Sequence, residues 1–411
     1  MPSQLIINCK LAGTHAPQGP LRGIDLAVLP CLEDGWLLME DEHIAALGPM
    51  KDIPSYLASH PAMDAAGCWL LPAWCDSHTH LVYTGCRELE FVDKIRGLSY
   101  AEINARGGGI LHSARALRET PEDVLFGQAW KRLQEVSRLG TASIEIKSGY
   151  GLTVDGELKM LRVIKKLKQR SRLSIKASFL GAHSYPPEFR DNHQGYIDSI
   201  INEMLPVIAR EKLADYIDVF CENGFFDPGE TEAICRAGME YGLRPKIHAN
   251  QLGLSGGVQV GVKLGALSVD HLEVMDDPSV AALKDSDTIG TLLPTAAFFL
   301  RMPFQPARRL IDAGCAVALA SDLNPGSSPS GNMNLVVSMS CIQMRMLPEE
   351  AINAATINGA YAMELGDVTG SIAPGKKADL ILTKPIPSLA YLPYSFGSNL
   401  VDRVFVGGEL V

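Results

Sequence analysis

The sequence predicts an α/β protein: a (β/α)8 barrel of the TIM type over residues 72–362, carrying a small β-sandwich assembled from residues 1–71 and 363–411. Three observations carry this reading. The middle of the chain alternates short apolar, strand-like runs with amphipathic stretches of helical period. Eight such runs can be counted, which is the number a closed parallel barrel requires. The two ends, by contrast, read as strands and turns alone.

Taken in order, LIINCKLA, IDLAVLP, GWLLMEDEHIAALG and GCWLL are apolar segments broken by Gly, Pro and acidic turns, and each predicts strand. The barrel runs follow as AWCDSHTH, TASIEIKSG, LSIKASFLGAH, YIDVFCEN, RPKIHAN, ALSVDHLE, TIGTLLP and AVALASDLN. The clearest helix between them spans 120–140, with Thr120 as N-cap, Pro121 at the first helical position and Gly140 past the end. Its Val124, Leu125, Ala129, Leu133 and Val136 recur at helical spacing. Beyond the barrel, GSIAPGKKADLILTK and DRVFVGGELV return to strand, with VGG as a hairpin turn.

A net charge of −10 argues against nucleic acid, whose phosphates need Lys and Arg to neutralise them. No basic run offers a membrane surface a hold, and no run of about 18 apolar residues could span one. Nine scattered cysteines, odd in number and never CxxC, fit free thiols in a reducing compartment. The cytoplasm is the expected location, since residues 1–13 lack the pattern of a secretory signal. A small molecule is the expected partner. A homodimer is an assembly such barrels often adopt, though no sequence feature demands it.

The barrel's active site is expected at the C-terminal ends of its strands. Those ends carry His78 and His80, His183, His248, His271 and Asp322, five of the ten histidines falling there within apolar runs. Residues two apart on a strand share a face, so His78 and His80 can both enter the barrel mouth. A further imidazole and a carboxylate beside them suit Zn²⁺ or Fe²⁺, which would activate a water and polarise a carbonyl. Arg87 offers a planar fork for a carboxylate, and Tyr150 ends a strand in a Gly-rich turn.

PAWCDSHTH, IHANQ, VDHLE and ASDLNPGSSP resemble the metal motifs of the amidohydrolase superfamily. EFVDK, SYAEINARGGGI, IEIKSGYGL, FLGAH, NEMLP and DLNPGSSP are similar to its imidazolonepropionase branch, over nearly the whole chain. The resemblance implies hydrolysis of the lactam C–N bond of 4-imidazolone-5-propanoate to N-formimino-L-glutamate, in histidine degradation. It also implies one metal ion, zinc or iron, on His78, His80, His248 and Asp322. Substrate contacts would come from Arg87, Tyr150, His183, Gln251, Asn324, Gly326 and Ser327, with Tyr100 as a lid contact.

In the implied chemistry Asp322 takes the proton from the attacking water and passes it to the departing ring nitrogen. His271 contacts the reacting oxygen or else orients Asp322. Gln251 stands where some relatives carry Glu; an amide orients substrate but is no general base, so proton work falls to Asp322 and His271. Glu222 could bridge a second metal, whereas Lys147 is expected to lie away from that position. GGGI at 107–110 is expected to give a flexible segment beside the pocket, and His15, His43, His60, His112 and His193 receive no role. Two other readings stay open: a deaminase of a nitrogen heterocycle, and a metal-binding protein without catalysis.

Overall fold

A computed structural model describes residues 3–98 and 108–411. Its strands are β1 (Gln4–Ala12), β2 (Cys31–Glu40), β3 (His43–Pro49), β4 (Ala62–Asp64), β5 (Trp69–Pro72), β6 (Trp74–Asp76), β7 (Thr141–Lys147), β8 (Ser174–Ala182), β9 (Tyr216–Cys221), β10 (Arg244–Ala249), β11 (Ser268–His271), β12 (Ile289–Leu292), β13 (Val317–Leu319), β14 (Leu380–Thr383), β15 (Val401–Val406) and β16 (Glu409–Leu410). They form two sheets. The ends of the chain interleave in the order β16-β15-β14-β5-β1-β2-β3, with β4 beside β1. This sheet curls on itself: Ile44 donates to the Lys376 carbonyl and Ala378 to that of Glu42, each at 2.8 Å. A core of Ile6, Leu11, Leu37, Leu70, Leu380 and Phe405, contributed by both ends, fills the curl.

Strands β6 to β13 pair in sequence order and all in parallel. All eight barrel runs of the sequence are present. Backbone hydrogen bonds between the first and last runs close the ring: Asp322 donates to the His78 carbonyl at 3.0 Å, and His80 to that of Leu323 at 2.9 Å. Closure and site assembly therefore use the same two segments. Both faces of the barrel strands are buried, which is why the runs read as continuous apolar stretches rather than alternating ones.

Four helices bear on the site or on the sequence reading: α1 (Glu88–Ile95), α2 (Ile110–Glu119), α3 (Glu122–Arg138) and α4 (Val154–Arg170). Pro121, not Thr120, caps α3. Thr120 instead ends α2, its hydroxyl donating to the Ala116 carbonyl at 2.7 Å, so two helices abut where the sequence suggests one start. Leu125, Ala129, Leu133 and Val136 are buried as their spacing predicts, while Val124 is exposed. IDLAVLP is a 3-10 turn at Gly23–Ala27 rather than a strand. The Asn353 side-chain amide donates to the Leu26 and Val28 carbonyls and replaces a sheet neighbour there. All nine cysteines are free, and among the described residues no helix is long and apolar enough to cross a membrane.

Candidate metal centre and cavity

Histidines stand at the ends of four of the runs, beneath one cavity of about 640 Å³ whose lining includes His80, Arg87, Lys94, Tyr150, His183, His248, Gln251, His271, Arg301, Asp322, Asn324, Gly326 and Ser327. His78 lies beneath the floor, fully buried. Ring centroids separate His78 from His248 by 4.5 Å and from His80 by 5.4 Å. Asp322 Oδ1 stands 3.6 Å from Nε2 of both His78 and His80, and Nε2 of His80 stands 3.4 Å from that of His248. The four expected ligands thus lie in two overlapping clusters that share His78, one with His80 and Asp322 and the other with His248 and His271. Tyr100 and Gly107 lie outside the described residues.

What aims these imidazoles is a buried charge network. His78 Nδ1 meets Asp270 at 2.6 Å and His248 Nδ1 meets Asp218 at 3.1 Å. Opposite a carboxylate, Nδ1 carries the proton and donates, so the Nε2 lone pair turns toward the centre. Lys147 Nζ holds both carboxylates, 2.7 Å from Asp218 and 3.6 Å from Asp270, and reaches Glu145 at 2.5 Å. Lys246 pairs with Glu145 and donates to the Ser77 carbonyl at 3.0 Å. Lys147, which the sequence places away from a metal-bridging position, thus has a different part: it braces the partners of His78 and His248 from below. The signal was present, because charges inside IEIK, YIDVF, PKIHA and SVDH are anomalous in buried strands.

Burial alone would strip Lys147 of its charge, yet Asp218, Glu145 and Asp270 together hold its ammonium above the usual lysine range. Burial, reinforced by neighbouring cations and imidazoles, pushes His78 and His80 well below the usual histidine range, and His183 to about 3. All three are neutral donors of lone pairs at neutral pH. Burial pushes the Asp322 carboxyl up to about 7.

A divalent cation fits this donor set. Among the described residues the buried Nε2 of His78 and Nδ1 of His80 find no hydrogen-bond partner. Among the described residues Glu145, Asp218 and Asp270 face two ammonium groups, Lys147 and Lys246, and Asp322 adds a further carboxyl beside His78 and His80, a surplus of acid that a divalent ion would offset. Because Asp322 must shed its proton to bind the ion, uptake by metal-free protein should weaken as pH falls through about 7. The loss should be roughly tenfold per pH unit below that point, measurable by competition with a chelator. A pH-independent affinity between 5 and 8 would contradict it.

His271 belongs to this centre more closely than its sequence position suggests, since a ring nitrogen of His78, His248 and His271 lie within 4.8 Å of one another. Its Nδ1 faces Glu273 at 3.4 Å, and Gln305 donates to Glu273 at 2.9 Å. Burial works against its protonation, but Glu273 and Asp322 outweigh it and raise its affinity for a proton. His271 (φ 89°) and Asp322 (φ 52°) both hold left-handed backbone, a strain retained at sites that over-determine side-chain direction. Glu222 is turned away: it accepts from the Asn223 and Leu252 amides at 3.1 and 2.9 Å, outside the clusters that could hold metal.

Above the centre, Tyr150 and His183 lie side by side, centroids 5.5 Å apart. His183 Nδ1 bonds the Gly149 carbonyl at 3.0 Å. Any Cβ at Gly149 (φ +111°) would sit 2.9 Å from that nitrogen, so this turn needs glycine. Glu157 of α4, unremarked in the sequence, fastens the turn by accepting from the amides of Gly149, Gly151 and Leu152 at 3.0, 2.7 and 3.0 Å. Asn324 folds its own loop, accepting from Gly326 and Ser327 at 2.8 Å each. Arg87 spans the mouth, its Nε donating to Glu90 at 2.8 Å, while NH1 lies over Gly326 so closely that a Cβ there would sit 2.1 Å away.

The barrel and its buried His–Asp centre define a metal-dependent hydrolase, and the chain belongs to the amidohydrolase family, whose model matches residues 69–411. Solved structures share the fold at low identity. A triazine hydrolase variant aligns with TM-score 0.76 and 17% identity over 99% of this chain and 94% of its own. The guanine deaminase of E. coli gives 0.72 and 15% over 100% and 99%. Within the family the chain groups with the imidazolonepropionases. The protein of that name from Flavobacterium johnsoniae is 56% identical, covering 95% of this chain and 94% of its own. That from Flavobacterium psychrophilum is 54% identical over 99% of each.

Proposed function

We propose that this chain hydrolyses 4-imidazolone-5-propanoate to N-formimino-L-glutamate, a step of histidine degradation. The observation that carries the reading is the convergence of His78, His80, His248 and Asp322 beneath a cavity that also holds Arg87. Those four residues would hold one divalent ion, zinc or iron, both of which accept imidazole nitrogen and carboxylate oxygen. When bound, the ion makes a water acidic and draws electron density from the ring carbonyl.

The chain's own residues do the rest. Asp322 takes a proton from the attacking water as oxygen joins the lactam carbonyl carbon. When the C–N bond breaks, Asp322 returns that proton to the ring nitrogen, leaving a carboxylate and a formimino group. His271, steadied by Glu273, donates toward the oxygen that gathers charge. Tyr150 and His183 flank the ring, Gln251 orients it through its amide, and Asn324, Gly326 and Ser327 wall the side facing Arg87. Arg87 meets the propanoate through the edge that Glu90 leaves unused.

Metal-loaded protein is expected to convert imidazolonepropanoate into formiminoglutamate, followed by loss of the imidazolone absorbance and by mass of the product. No turnover with stoichiometric metal present would overturn the assignment. Metal analysis of the protein as isolated decides between zinc and iron.

A further inference from the structure

Arg87 is already neutralised. Its Nε and NH2 both approach Glu90 Oε2, at 2.8 and 2.6 Å, so the pair as a unit carries no net charge. A carboxylate arriving at this end of the cavity would meet the Glu90 anion as well as the guanidinium. Attraction must come from another cation.

Lys94 lies on α1 four residues beyond Glu90, on the same helix face. Its ammonium does not close on Glu90. It reaches across the cavity mouth to donate to the Gly326 carbonyl at 3.2 Å, with the Phe299 ring centroid 5.8 Å away. Among the described residues no carboxylate lies within ion-pair distance of it. Gly326 is also the residue that Arg87 NH1 overlies. Two cations therefore converge on one glycine, with one anion between them, beside the apolar rings of Phe91 and Phe299. Burial, aided by the Arg87 charge and only partly opposed by Glu90, holds Lys94 below the usual lysine range.

We propose that Lys94 is a specificity-determining residue: beside the Arg87–Glu90 pair it supplies a positive charge, without an ion-pair partner among the described residues, that selects a ligand bearing one carboxylate, whereas Arg301 lines the same cavity from an exposed position. Arg87, clamped by Glu90, gives direction to that carboxylate rather than charge. The inference rests on the proposed reaction for the identity of the substrate, but its electrostatic content concerns any monocarboxylate attached to a small heterocycle.

Binding of imidazole-4-propanoate and of 4-propylimidazole, compared by calorimetry on the metal-loaded protein, isolates the carboxylate, because both ligands present the same ring. The wild type should prefer the propanoate by about tenfold or more, the scale of one charge-assisted contact. Lys94→Met should lose most of that preference and Lys94→Arg should keep it. Lys94→Gln, which retains a polar head, serves if the methionine variant fails to fold, and should also lose it. In turnover, KM for imidazolonepropanoate should rise about tenfold in Lys94→Met, by more than kcat falls. An unchanged preference in folded Lys94→Met or Lys94→Gln overturns the proposal. A Lys94-dependent preference in a wild type that fails to turn over imidazolonepropanoate would instead uphold it while removing the assigned reaction.

Discussion

Replacing Lys147 by methionine is expected to cost both stability and metal. The side chain is fully buried, and removing its charge leaves Asp218, Asp270 and Glu145 facing one another with only Lys246 to offset them. Breaking a buried ionic network by deleting one partner costs about 3–5 kcal/mol, far above the median for surface pairs. The loss also propagates upward. Asp218 and Asp270 fix the tautomers of His248 and His78, so carboxylates driven to protonate or turn away release both imidazoles. Burial favours a protonated Asp218, and at present His248 and Lys147 outweigh it and hold that carboxyl well below its usual range. Denaturant unfolding and metal analysis of Lys147→Met check the two consequences together. Wild-type stability with full metal content would mean that the network is not the brace described.

Asp322→Asn should lower kcat by roughly 10²–10⁴-fold while leaving the fold intact. The amide keeps the shape and can still accept from Ser327, which stands 3.4 Å from Oδ2, and the backbone contacts that close the barrel are untouched. What is lost is the capacity to take and return a proton, together with one anionic ligand. Assays at saturating metal separate these two losses, since the other three proposed ligands, His78, His80 and His248, are unchanged. Activity within tenfold of wild type under that condition would move the proton work to His271. That residue is the alternative because Glu273 already raises its proton affinity.

Much of the site was legible because its residues violate local expectation. A histidine in an apolar strand is conspicuous, and three of the four proposed ligands with His183 and His271 are of that kind. Their strand-end positions follow from hydrophobic pattern alone, which is a property of neighbouring residues. Charged residues inside the same runs were equally conspicuous, yet the role of Lys147 as a brace was not legible, because Asp218 and Asp270 are about 70 and 120 residues away, on strands whose register no local pattern reveals. Arg87 read as a free fork for a similar reason. Glu90, three residues on, looks like any acid in the first turn of a helix until its carboxylate is seen closing on the guanidinium.

By itself, then, the sequence determined the alternation of strand and helix, the eight-run count, the β character of both chain ends, and which histidines stand out at the strand ends. These depend on periodicity and on single anomalous residues, both local quantities. Only the tertiary structure decided which charge answers which: Lys147 under two His–Asp pairs, Glu157 beneath the Tyr150 turn, Glu90 on Arg87, and Lys94 left facing the cavity. Electrostatic energy falls off with distance in space and is indifferent to distance along the chain, so these pairings exist only once the barrel has closed.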